Sequence, residues 1–131
     1  MIPAVTFPDA VALVVGYLSD EIDADVYKRV PTTRPAEFVT VARSGGVVSN
    51  FVVDNAQLSI DCWAERDDDL ADLMAEVRGL VLAMHGVVVD GAQVYRVIEV
   101  GGPADIPDPV SDMPRMRWTV QVQLRGDTAG S

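Results

Sequence analysis

One cysteine, Cys62, one histidine, His85, and one lysine, Lys28, stand in a chain of 131 residues. A lone cysteine excludes an internal disulfide and any cysteine-based metal cluster. A lone histidine without a partner histidine or cysteine cannot define a zinc site. With so little lysine, the positive charge falls almost wholly to arginine, the cation of interfaces and of bidentate carboxylate pairs. Basic residues number 10 against 20 acidic ones, for a formal net charge of −10. That balance excludes a general binder of nucleic-acid backbone, which needs clustered Lys and Arg. No apolar run approaches the roughly 20 residues of a transmembrane helix, so no membrane partner is expected. The opening MIPAVTFPDAVALVVGYLSDE has no basic segment and carries Asp9, Asp20 and Glu21. It is expected to fold as an amphipathic helix rather than serve as a signal peptide. Neither GxxxxGK[ST], GxGxxG nor GxSxG occurs, and there is no internal repeat.

What is present argues for one folded domain over residues 1–131, with 126–131 as a disordered tail. Apolar residues make up 49% of the chain and charged ones 23%, which is too apolar for disorder. The organising stretch is Ala56–Gly86. Leu58, Ile60, Cys62 and Ala64 alternate with Gln57, Ser59, Asp61 and Trp63, the period of a strand. Leu70, Leu73, Met74, Val77, Leu80, Val81 and Met84 then take the spacing of a helix with one apolar stripe. Asp67, Asp68 and Asp69 crowd its start, where the helix dipole favours negative charge, and Gly86 suits its end.

Before this unit, a helix is expected from Pro8 to about Asp20, capped by Thr6 or Phe7, with Val11, Val14, Val15, Leu18 and Ile22 on one face. Gly16 inside it marks a close approach of another element. Strands are expected at Val26–Val30 and Glu37–Arg43, with Val47–Val53 as a further arm and turns at Ser44–Gly46 and Asp54-Asn55. After it come a connection at Val87–Gly91, a strand at Gln93–Gly101, a loop at Gly101–Pro114 and a strand at Arg115–Arg125. The loop holds four prolines and three aspartates. In the last strand Trp118, Val120, Val122 and Leu124 alternate with Arg117, Thr119, Gln121, Gln123 and Arg125. The fold expected is α+β: two layers, with a mixed or antiparallel sheet of four to five strands and two helices packed on one face.

Catalytic, cofactor and metal constellations are not found. His85 reads as a helix-end residue and Cys62 as a buried thiol. Asp67–Asp69 do not match a calcium loop. Asp105, Asp108 and Asp112 could coordinate calcium but read better as a solvated acidic loop. The sheet's second face carries Gln, Thr, Ser and Arg with few Lys or Glu, which points to a face or edge that meets another subunit. Arg34, Glu37, Trp63, Arg115 and Arg117 are the candidate contact residues. Trp63 lies opposite Leu58 and Ile60, so it needs cover from a loop or a neighbour.

The order of these motifs resembles the tail terminator proteins of long-tailed bacteriophages, the lambda-like minor tail protein group. The likeness rests on FPDAVALVVGYLSDEI, VYKRVPTTRPAEFVTVARSGG, VVDNAQLSIDCWAERDDDLADLMAEVRGLV and VIEVGGPADIPDPVSDMPRMRWTVQVQLRG, over roughly residues 5–125. The resemblance implies a non-enzymatic virion subunit, made in the host cytoplasm and placed at the head-proximal end of the tail. It implies a homohexameric ring that caps the tail tube, ends its polymerisation and meets a head-completion protein, while DNA passes through the lumen. The alternatives are a neck adaptor, or a small α+β ligand-binding or enzyme domain with Gly101–Pro114 as a lid.

Overall fold

The alternating stretch around Leu58 is the middle of a large sheet, and its strand is longer than the pattern that revealed it. The computed structural model describes residues 3–128. In chain order the elements are β1 (Val5–Thr6), α1 (Ala10–Glu21), β2 (Asp25–Tyr27), β3 (Glu37–Gly45), β4 (Val48–Ser49), β5 (Val53–Ala64), α2 (Asp67–Leu82), β6 (Val88–Val89), β7 (Ala92–Asp105), β8 (Arg115–Arg125) and β9 (Asp127–Thr128). Seven strands form one curled sheet in the order β2-β3-β5-β8-β7-β6, with β4 also on β5. β2 runs parallel to β3 and every other pairing is antiparallel. β1 and β9 make a separate two-stranded ladder.

The expectation of a four- to five-stranded sheet is therefore wrong. Strand makes up 45% and helix 22% of the described chain, a half-barrel of sheet with two helices in it. β2 overlaps the expected Val26–Val30 strand and β4 lies within the expected Val47–Val53 arm, but they are only three and two residues long, and β6, expected as a connection, has two residues, too few to show a period. They are set by tertiary pairing instead.

The core follows the two periods. Leu58, Ile60, Cys62 and Ala64 of β5, with Trp118, Val120, Val122 and Leu124 of β8, are fully buried. They meet Leu13, Val14 and Leu18 of α1 and Leu70, Leu73, Met74, Val77 and Val81 of α2. Burial of each large side chain contributes about 1.5–3 kcal/mol. The β5–β8 ladder runs unbroken from Val53↔Arg125 to Trp63↔Arg115.

Local chemistry corrects several boundaries. α1 is capped by Asp9, whose carboxylate accepts the Ala12 N–H at 3.0 Å, not by Thr6 or Phe7. Among the described residues, a Cβ added at Gly16 would meet nothing within 4 Å, so the glycine marks no close approach there. α2 has no side-chain cap, and Asp67, Asp68 and Asp69 act through the dipole alone. It ends at Leu82, and Gly86 turns the chain at φ +76° three residues beyond the cap Ala83. Asp90 and Gly91, at φ +48° and +80°, make the tight turn of the β6–β7 hairpin.

Asp54-Asn55 is not a turn. Both residues are buried inside β5, and the turn lies at Asn50–Val52, with Asn50 and Phe51 at positive φ. Gly46 interrupts the line from β3 to β4 at φ +99°, where an added Cβ would overlap the Asn55 carbonyl. The Gly101–Pro114 loop is also shorter than its composition suggests. β7 continues through Gly101, Gly102 and Pro103 to Asp105, and register shifts absorb residues that cannot pair evenly. The tail expectation fails at Gly126, Asp127 and Thr128. Gly126 is buried against Val5 and Phe7, and β9 pairs with β1. Residues 129–131 lie outside the described residues. Among the described residues, no helix is long and apolar enough to cross a membrane.

Candidate functional site

The second face of the sheet carries two aromatic residues paired in register, Phe38 on β3 and Trp63 on β5. Their rings stack with centroids 5.1 Å apart and planes 13° apart, and Tyr27 of β2 meets Phe38 edge-on at 6.2 Å. The Trp63 indole N–H donates to Thr40 Oγ1 at 3.3 Å. Two guanidinium groups lie over the Trp63 ring, Arg34 at 5.2 Å and Arg115 at 4.9 Å. Trp63 is only 2% exposed. The cover that its position demanded thus comes from within the chain, from Arg34 in the β2–β3 connection and Arg115 at the start of β8.

Each arginine is held in turn. Arg34 donates to Asp108 at 2.8 Å and to Ser111 Oγ at 3.1 Å. Arg115 Nε donates to the Ile106 carbonyl at 2.8 Å, and its guanidinium lies 3.9 Å from Asp61. Arg117 makes a bidentate pair with Asp61, at 2.9 and 3.0 Å. That pairing raises the already high pKa of Arg117, first through the hydrogen bond and then through Coulomb attraction. The Ser111 hydroxyl and then Arg34 hold the Asp108 carboxyl well below the usual carboxylate range. Four of the residues singled out from the sequence, Arg34, Trp63, Arg115 and Arg117, are therefore brought into one cluster.

Glu37, the fifth, stands apart from that cluster. It faces a groove of about 420 Å³ with Asp23, Asp25, Glu65, Arg66 and Asp69. Sequence reasoning missed Phe38, Asp61 and Asp108 as members of the cluster. Asp108 is buried, so the expectation of a solvated acidic loop fails at that residue. The spacing Asp108-x-x-Ser111, a side chain turning back on its own backbone, was the available signal. Toward the other end of the same face, Gln57, Ser59, Thr119, Gln121 and Gln123 are half-buried.

The reactive types sit elsewhere. Cys62 is buried and burial, then Asp61, pushes its thiol pKa up, so it is no nucleophile. His85 lies in the turn after α2, and its Nδ1 accepts the Val97 N–H at 3.2 Å, a bond that pins β7 to the helix end. Among the described residues, no group of three His, Cys, Asp or Glu side chains is placed to hold a metal ion.

Four of the exposed large apolar residues gather at one tip, and the others are spread over other elements and loops. Val47, Val48, Phe51 and Val52 project around the β4–β5 turn, and Phe51 is 66% exposed. A bulky residue at positive φ that also stands in water marks a strained, outward-facing site.

No family model matches the chain, and no curated protein matches it in sequence. In structure it is similar to a chain from the virion of a native gene transfer agent (GTA) particle, with a TM-score of 0.52 and 17% sequence identity. The likeness covers 91% of this chain and 87% of that one, and at this identity it is a likeness of fold.

Proposed function

We propose that this protein is a structural subunit of a phage-like particle, and specifically the terminator that caps the tail tube. The observation that carries the reading is the likeness of fold to the virion chain, which extends over nearly the full length of both chains. The order of sequence motifs that resembles tail terminators supports the finer role. In that role, copies of the chain close into a six-membered ring on the last layer of tube protein and stop its growth. The opposite surface then receives the head-completion protein. The subunit's work is binding, and its mixed α+β body with a rigid central ladder suits a part that must keep its shape in an assembly.

The net charge of −10 fits the same role. DNA that travels through a ring of acidic subunits finds no cationic wall to hold it. The test is assembly on purified tail tubes, followed by electron microscopy. The expected result is one ring at one end of each tube and tubes that no longer elongate. Tubes that grow unchanged at saturating subunit would refute the cap. Attachment to tail-less heads alone would place the protein in the neck instead.

A further inference from the structure

Five of the ten cations of this chain, Arg34, Arg43, Arg78, Arg115 and Arg117, are paired within the subunit. Lys28 and Arg29 make no ion pair among the described residues. They are adjacent, exposed, and stand at the C-terminal end of β2, the outermost strand of the sheet. At the other end of β2, Asp23 and Asp25 open onto the groove that Glu37, Glu65 and Asp69 also line, with Arg66 as the one cation against five carboxylates. An adjoining hollow of about 260 Å³ adds Asp72 and Glu76. The edge strand thus has an acidic end, an apolar middle at Val26 and a basic end.

An outermost strand leaves one row of backbone groups unpaired, and natural edges usually carry charge to repel a second strand. Here the charges are of opposite sign at the two ends. A second copy that arrived parallel would set like charge against like. One that arrived antiparallel would meet attraction at both ends. A twofold axis beside the middle of the strand, perpendicular to the sheet, produces that arrangement and keeps the helices of both copies on the same side. We infer that β2 is a self-docking edge. Two copies pair β2 with β2, antiparallel about Val26, so that Lys28 and Arg29 of each lie against Asp23, Asp25 and the acidic groove of the other. The contact uses the same patch on both copies, unlike the head-to-tail contact that closes a ring. It therefore stands independently of the cap reading.

The paired strand is short, which makes this a weak contact of the transient class. Sedimentation from about 10 µM to about 1 mM covers that range. The expected result is a monomer–dimer equilibrium across it. The double variant Lys28→Glu/Arg29→Glu should remain monomeric. Arg96→Glu/Arg125→Glu, with the same change in net charge on exposed arginines of β7 and β8, should dimerise like the parent. Mixing Lys28→Glu/Arg29→Glu with Asp23→Lys/Asp25→Lys should restore a heterodimer. Because Lys28 is the only lysine, a carbodiimide should join its amine to Asp23 or Asp25 of a second copy as an amide, with loss of water. Mixed light and heavy chains identify the link as one between copies. A parent that stays monomeric to about 1 mM overturns the inference. So does undiminished dimerisation of Lys28→Glu/Arg29→Glu, or a link that maps to carboxylates outside Asp23, Asp25 and the acidic groove.

Discussion

Replacing Trp63 with alanine asks whether that residue belongs to the subunit's own fold or to a contact between subunits. Truncating a buried tryptophan costs about 3–5 kcal/mol through lost burial and the cavity left behind. Trp63 also gives up its stack on Phe38 at 5.1 Å, a geometry worth about 0.5–1.5 kcal/mol beyond area. Its hydrogen bond to Thr40 adds about 1 kcal/mol. The two guanidinium contacts add about 0.5–1 kcal/mol each, since they lie near the surface. These terms overlap, because a truncation already includes packing, so the expected loss is about 4–5 kcal/mol. For a domain that is stable by about 5–15 kcal/mol, the variant is marginal. At about 3–5 °C per kcal/mol for this chain length, Tm should fall by about 12–25 °C. Trp63→Phe keeps the stack and should lose only about 1–2 kcal/mol. The assay is thermal and urea unfolding across a hundredfold dilution series. If Trp63 were covered by a neighbour, the loss would depend on protein concentration. A loss in Trp63→Ala under about 1 kcal/mol, or one that disappears on dilution, refutes the reasoning.

Two further outcomes test other parts of the structure. Gly46→Ala places a methyl group against backbone at φ +99°, whereas Gly45→Ala, at φ +138°, meets nothing within 4 Å. The first should cost about 3 kcal/mol and the second about 1 kcal/mol, so in urea the Gly46→Ala midpoint should lie about 1 M lower than that of Gly45→Ala. The acid limb tests the ion pairs. Asp108 is held low by Ser111 and Arg34, and Glu99 by Arg78 and then the Trp118 indole N–H. A carboxyl with a folded pKa below its unfolded one contributes stability that is fully present above about pH 4 and is lost as pH falls toward the folded value. Tm should therefore drop below about pH 4, and Asp108→Asn, compared at pH 5 and pH 3 by calorimetry, should show a shallower drop.

The parts of the fold that were legible are those whose physics is local. β8 runs from Arg115 to Arg125 as its alternation foretold, because it is buried on one face and half-open on the other. α2 was legible because its apolar stripe and its acidic first turn agree. The illegible parts depend on partners far away in sequence. Asp54 reads as a turn residue until Arg43, eleven positions earlier, reaches it with two bonds of 2.7 and 2.8 Å. Gly102 and Pro103 read as loop, yet β7 carries them because β6 pairs only with Ala92 and Gln93, so that side of the strand has no ladder to break. At the candidate site, the arginines were visible as types in a period-two pattern. Their occupation by Asp61 and Asp108 was not, since a carboxylate's exposure is set by the fold around it.

The uneven register of β7 bears on how the length of this chain can vary. In a strand paired without interruption, one inserted or deleted residue turns every following side chain to the opposite face. β5 and β8 are such strands, matched through eleven consecutive pairs, and they have no slack. β7 already shifts register near Val94, Glu99 and Gly101. An added residue there can enlarge a bulge instead of inverting the strand. Insertions and deletions among variants of this sheet should therefore collect in β7 and be absent from β5 and β8.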